Sequence, residues 1–153
     1  MTKKSVEIKV ATAQDCMAVA TLFDKYRQFY QQQSDLNSAM QFIDARISRC
    51  DSVILLASDA SGAVGILQVY PTFSSISMAN VWLINDLYVC ESARGQGIAK
   101  RLINTCIELA TVQQVKLLRI STEFSNTAAS TLYEQIGFEK DTRFQHYNFF
   151  IKG

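Results

Sequence analysis

The stretch from Ala79 to Gln113 constrains the fold of this chain more than any other. Ala79 to Val89 read as one long strand, in which Trp82, Ile84, Asp86 and Tyr88 share one face and Val81, Leu83, Asn85, Leu87 and Val89 the other. Arg94-Gly95-Gln96-Gly97 follows, and a helix then carries Ile98, Leu102, Cys106, Leu109 and Gln113 along one side. Glycines in such a strand-to-helix turn let consecutive backbone N–H groups point at one spot. Those donors and the positive end of the helix dipole make an anion site suited to a pyrophosphate, with Arg94, Lys100 and Arg101 adding charge. A tight turn without a ligand is the competing reading of the same glycines. Two other phosphate loops are excluded. There is no Gly-Lys-Ser/Thr for a P-loop, and the third glycine of a Rossmann fingerprint would fall on Lys100, after a late strand rather than the first.

The elements around this unit follow from periodicity. Val6, Ile8 and Val10 alternate as a strand; Thr12-Ala13-Gln14-Asp15 has the form of a capping box; and Cys16, Val19, Ala20, Phe23 and Tyr30 predict a helix to about Gln32. Leu36, Met40, Ile43 and Ile47 predict a second, shorter helix. Val53–Ala57 and Ala63–Tyr70 form a hairpin about Asp59-Ala60-Ser61-Gly62, and Pro71 to Ser77 is expected to be a loop serving as wall or lid. Lys116–Ser121 is a strand, Asn126–Ile136 a helix stopped by Gly137, and the alternating tail Arg143–Ile151 a final strand. The order β-α-α-β-β-β-α-β-α-β predicts an α/β fold with a mixed sheet flanked by helices.

Composition narrows the function classes. A chain of 153 residues without linker or repeat fits a single domain, and 48% apolar residues supply its core. Fifteen basic against fourteen acidic residues leave +1, which argues against a nucleic-acid grip by bulk charge. Cys16, Cys50, Cys90 and Cys106 lie far apart and there is one histidine, so no metal site is expected. No signal peptide or membrane-length apolar run is visible, which points to a reducing cytoplasm and no membrane partner.

Arg94-Gly95-Gln96-Gly97-Ile98-Ala99 fits the acyl-CoA signature Arg/Gln-x-x-Gly-x-Gly/Ala of the GNAT N-acetyltransferases, which this chain resembles. Asn85-Asp86-Leu87-Tyr88-Val89 is similar to the strand leading into that loop, and Asn126 to Phe138 fits a second motif, N-x-x-A-x-x-L-Y-x-x-x-G-F. Ile8 to Asp15 resembles the opening strand and cap, so the ordered set spans nearly the whole chain. Tyr70 to Ser75 and Leu83 to Leu87 look like members near the diamine acetyltransferases, and like the group linked to histone and D-amino-acid acetylation. Two departures weigh against a polyamine substrate. Tyr26, Phe29 and Tyr30 stand where diamine enzymes carry acidic residues, and Asn85 stands where they carry glutamate.

The resemblance implies the GNAT fold and transfer of an acetyl group from acetyl-CoA to a primary amine of a small molecule. It also implies that the strand of Leu87, Tyr88 and Val89 bonds the pantetheine arm, with a backbone N–H, that of Leu87, facing the thioester carbonyl. Arg94, Gly95, Gln96, Gly97, Ile98, Ala99 and Lys100 would hold the pyrophosphate, where a glutamate at position 97 is expected to act by clash and repulsion. Asn126, otherwise a plain helix cap, would touch the cofactor too.

Amine acetylation needs a deprotonated amine, and a free alkyl ammonium has a pKa of about 10. The departing thiolate then needs a proton. Tyr133 is the candidate acid, with core packing beside Ala129, Leu132 and Ile136 as its alternative. The base is left between Asp86, which strand alternation puts opposite Asn85 and Leu87, a water relay at Asn85, and His146 on the final strand. Asp86 as a structural hydrogen-bond acceptor is the other reading of that residue. Tyr26, Phe29, Tyr30, Tyr70 and Phe73, with His146, are expected to line the amine pocket by cation–π contact and packing; Trp82 is expected in the core. Competing functions are a protein or peptide acetyltransferase, which needs an open groove, and a non-catalytic acyl-CoA-binding module. The aromatic tail (Phe144, Tyr147, Phe149, Phe150) and the family habit suggest a homodimer.

Overall fold

The alternation of Val6, Ile8 and Val10 yields β1 (Glu7–Val10) in a computed structural model that describes residues 5–153. The Asp15 carboxylate accepts the Thr12 N–H at 2.8 Å and closes a single tight turn, which opens α1 (Cys16–Phe29). That helix ends earlier than Gln32. The reason is the Asp24 carboxylate, which accepts from Ser34 Oγ at 2.6 Å and the Asp35 N–H at 2.8 Å and folds the chain back into α2 (Leu36–Arg49). Burial works to raise the Asp24 carboxyl, but these hydrogen bonds and Arg27 outweigh it and hold it below its ordinary value. α2 is as long as α1, 14 residues each, rather than shorter.

β2 (Val53–Asp59), β3 (Gly62–Ser74), β4 (Ala79–Val89) and, after α3 (Ile98–Val112), β5 (Leu117–Ile120) complete a five-stranded sheet in the order β1-β2-β3-β4-β5. The first four strands are antiparallel and β5 runs parallel to β4, so the sheet is mixed as expected. One face carries Ile54, Leu56 and Ile66 against Val19, Ala20, Phe23, Ala39 and Ile43 of α1 and α2. On the other face Gly65 lies against Leu102 of α3, and a Cβ there would come within 3.3 Å of Leu102 Cδ1. The buried stripe of α3 is Ile98, Leu102, Ile103, Cys106 and Ala110, rather than one running on to Leu109 and Gln113.

Two expectations about β3 and β4 are corrected. Residues 71–77 are not a loop, because β3 continues opposite β4 to Ser74↔Ala79 and only Ser75 to Met78 turn. Pro71 is tolerated because β2 stops pairing at Val69, so its missing N–H falls on an unpaired edge. Second, β4 does not alternate uniformly. Gln68 pairs with Asp86 but Val69 pairs with Ile84, so Asn85 is an extra residue and the strand bulges there. The bulge puts Ile84 and Trp82 on the α3 face with Val69, and moves Asp86 and Tyr88 to the α1–α2 face with Gln68 and Ile66.

Residues 122–153 form a second compact unit. Its helix α4 (Thr127–Ile136) begins at Asn126, whose side chain accepts the Ala129 N–H at 3.1 Å, and ends at Gly137 in the left-handed region at φ 116°. The strand expected over Arg143–Ile151 is absent. Alternation makes a strand possible, but a strand exists only where a neighbouring backbone completes its ladder, and the tail pairs with none among the described residues.

Candidate active site

The free edge of β4 sets the geometry. β5 pairs only with Val81–Ile84, so residues 85–89 have no strand beside them on that edge among the described residues. The Cys90 N–H donates to the Val64 carbonyl at 2.9 Å, which directs alternate residues, Tyr88 among them, toward β3 and leaves the polar groups of Leu87 and Val89 facing the open edge. Arg94 Nε donates to the Val89 carbonyl there at 3.0 Å. The Leu87 N–H, at the centre of that edge, is aimed where an extended chain of ligand could pair.

Arg94 ties the glycine turn to that strand. Gly95 and Gly97 both take left-handed backbone, φ 74° and 75°, and Gly97 caps α3, whose first helical bond runs from the Arg101 N–H to the Gly97 carbonyl at 3.1 Å. The N–H groups of Gly97, Ile98, Ala99 and Lys100 precede the helical ladder and are available as a set. A Cβ at Gly95 or Gly97 would meet nothing within 4 Å, so it is backbone conformation, not lack of room, that requires glycine here. Arg101 Nη2 donates to the Val6 carbonyl at 2.7 Å, which ties α3 to the residue before β1.

Beside the open edge, on the α1–α2 face, lies Asp86, 3% exposed. Its Oδ2 accepts Gln68 Nε2 at 2.6 Å and its Oδ1 accepts Asn85 Nδ2 at 3.0 Å, a contact that the bulge makes possible. The Tyr26 hydroxyl lies beside it and donates its proton to the Asn85 carbonyl at 3.1 Å. No lysine or arginine pairs with Asp86 among the described residues. Burial pushes its carboxyl up, against the downward pull of Gln68, Asn85 and Tyr26. The same pocket raises its phenols. Burial, then the charge of Asp86, takes Tyr70 up to about 12 and lifts Tyr26 in the same direction.

The expected aromatic pocket is therefore formed in part. Tyr26 meets Tyr30 edge-on at 5.1 Å, and Tyr70 reaches the Asp86 network through Gln68 at 3.1 Å. Phe29 instead lies over the Arg94 guanidinium at 5.9 Å, with Tyr88 on the same guanidinium at 5.7 Å. Phe73 leaves the set: it is the next-to-last residue of β3, opposite Asn80, and alternation from Tyr70 puts it on the other face, exposed. Trp82 is core, as expected. Asn126, Tyr133 and His146 belong to the second unit. There the half-buried Tyr133 packs against Phe138 at 6.0 Å between ring centres, while His146 is an exposed residue of the irregular tail rather than part of a strand. Sequence reasoning missed Ser52 and Gln68. The signal for Gln68 was present, a lone carboxamide in the apolar run Val64 to Val69.

The family model of the acetyltransferase (GNAT) domain matches residues 50–140. The chain is 43% identical over 142 residues to the uncharacterized N-acetyltransferase YhfO of Bacillus subtilis (strain 168), covering 93% of this chain and 95% of that one. It is 30% identical over 105 residues to an L-methionine sulfoximine/L-methionine sulfone acetyltransferase of Pseudomonas paraeruginosa (strain DSM 24068 / PA7), covering 69% of this chain and 60% of the relative. A crystal structure of a probable acetyltransferase superposes with TM-score 0.90 at 38% identity, over 96% of this chain and 99% of that chain.

Proposed function

The chain belongs to the GNAT family of N-acetyltransferases, and we propose that it carries an acetyl group from acetyl-CoA to the primary amine of a small molecule of amino-acid size. Asp86 carries the reading. A carboxylate 3% exposed with only neutral donors around it is an unbalanced buried charge, and an ammonium entering beneath Tyr26, Tyr30 and Tyr70 balances it. A relative that acts on L-methionine sulfoximine and L-methionine sulfone supports an acceptor of that size.

The cofactor assignment is supported by the unpaired edge of β4, the left-handed glycines and the unladdered N–H groups at the start of α3, which fit a pantetheine arm ending in a pyrophosphate. Bound there, acetyl-CoA supplies the activated thioester. Leu87 offers its backbone N–H to the carbonyl oxygen on which negative charge grows. Asp86 takes the proton of the ammonium, directly or through a water held at Asn85, and its raised affinity for protons suits it to that step. The departing thiolate would need a proton, and Tyr133 is the residue we assign to supply it, on the helix α4 that Asn126 caps. A homodimer covering the aromatic tail belongs to the same reading and is checked by light-scattering mass.

The test is a panel of amino acids, polyamines and other compact amines with acetyl-CoA, following free thiol. Turnover is expected on an amino-acid-sized amine. Asp86→Asn and Tyr133→Phe are each expected to lower it by about a hundredfold, the scale of general acid–base catalysis. Tight CoA binding without turnover on any amine overturns the proposal, and full activity of Tyr133→Phe removes that residue's role.

A further inference from the structure

Gln68 is the most deeply buried polar side chain among the described residues, 1% exposed, and no step of acetyl transfer uses it. It interrupts a strand that is otherwise apolar from Val64 to Val69, where a leucine of similar volume would pack without polar demands. Its hydrogen bonds are all made. Nε2 donates to Asp86 Oδ2 at 2.6 Å and to the Tyr70 hydroxyl at 3.1 Å, and Oε1 accepts the Ser52 hydroxyl at 2.9 Å. An ionised carboxylate only accepts, so the amide nitrogen must face Asp86 and the amide oxygen must face Ser52. Ser52 thus braces the far end of a strut whose near end bears on the one buried, unpaired carboxylate of the site.

We propose that Gln68 is a positioning residue of the acetyl-transfer site: braced by Ser52, it holds the Asp86 carboxylate in the orientation that meets the acceptor amine beneath Tyr26 and Tyr70. The inference rests on the reading of Asp86 as proton acceptor. The groups facing Asp86 are Tyr26 from α1, Gln68 and Tyr70 from β3, and Asn85 from β4. Past Tyr70 lies Arg46 of α2, ion-paired to Asp51 at 2.9 Å. With no cation beside the carboxylate, the donor hydrogen bonds are what favour its charged form, and the Gln68 bond is the shortest of those measured to it.

The experiment is the pH profile of kcat/KM for the amine, with KM for acetyl-CoA measured alongside. Gln68→Leu is expected to move the acidic limb up by about one pH unit, the effect of losing one hydrogen bond to a charged acceptor, with KM for acetyl-CoA unchanged. Gln68→Glu is expected to move the same limb further, because a second carboxylate opposes the first. Should Gln68→Leu fail to fold, Ser52→Ala leaves the strut in place but unbraced. It is expected to shift the limb in the same direction and lower kcat by about three- to tenfold, a fraction of the loss for a misplaced catalytic group. A folded Gln68→Leu, or failing that a folded Ser52→Ala, with the wild-type limb and kcat overturns the proposal. Asp86→Asn separates the two readings. Full activity there refutes Asp86 as proton acceptor, whereas loss of activity there with unshifted Gln68 and Ser52 variants refutes the strut alone.

Discussion

Replacing Gly97 by alanine isolates the conformational demand of the cofactor turn. The residue sits at φ 75°, ψ 15° as the cap of α3, and a Cβ there meets no atom within 4 Å, so sterics contribute nothing. Left-handed backbone costs an L-residue with a Cβ about 1–2 kcal/mol. Loss of glycine freedom in the unfolded chain offsets about 0.5 kcal/mol of that. A net loss of about 1 kcal/mol in a chain of 153 residues lowers Tm by roughly 2–4 °C. Asparagine occupies the left-handed region more readily, so Gly97→Asn is expected between alanine and wild type. The assays are thermal unfolding by calorimetry and titration with CoA. The rank Gly, Asn, Ala is expected in both, because the N–H groups that would meet the pyrophosphate depend on the same backbone angles. An alanine variant within half a degree of wild type, or an asparagine variant below alanine (measurement thresholds of about 0.5 °C, small against the shift above), refutes the conformational argument.

Gly65→Ala differs in kind, since its Cβ would lie 3.2 Å from the Tyr88 carbonyl oxygen and 3.3 Å from Leu102 Cδ1; calorimetry is expected to find a loss of about 1–3 kcal/mol from overpacking between β3, β4 and α3. Asp24→Asn is expected to lose about 1–3 kcal/mol at pH 7, because the charge-assisted bonds from Ser34 and Asp35 weaken. Since the folded Asp24 carboxyl lies below its ordinary value, its contribution is present above the unfolded pKa of about 3.9 and fades as pH falls through the folded one, so the variant's deficit should shrink in acid. Asp86 has the opposite sign. Its folded carboxyl is raised, so the stability linked to it is full below about pH 3.9 and is lost as pH rises through the folded pKa. Asp86→Asn is therefore expected to match or exceed the wild-type Tm at pH 7 while losing activity, and a Tm several degrees lower would show that the ionised group holds the fold together.

That pairing of stability lost and function gained bears on why parts of the site were legible and parts were not. The glycine turn, its Arg94 and the cap at Asn126 could be read because their geometry is local: backbone sign and hydrogen-bond partner are fixed within a few residues. The bulge at Asn85 could not, because one extra residue leaves the composition of β4 unchanged and shows itself only against the register of β3. It nevertheless reverses the faces: uniform alternation groups Asp86 with Trp82 and Ile84, whereas the bulged strand turns it toward α1 and α2 and lays the Asn85 amide on its carboxylate. The absent tail strand fails for a related reason, since alternation specifies a face but not a neighbour. Gln68 lies between the two cases. A single carboxamide in an apolar strand is conspicuous in sequence, yet its meaning resides in Asp86 across the ladder and Ser52 on the preceding strand's approach, both fixed by register. What the chain hides is thus the cross-strand pairing that turns an ordinary aspartate into a buried acceptor, and the same pairing explains why the carboxylate is tolerated there: the amides of Gln68 and Asn85 satisfy it, and neither neutralises it.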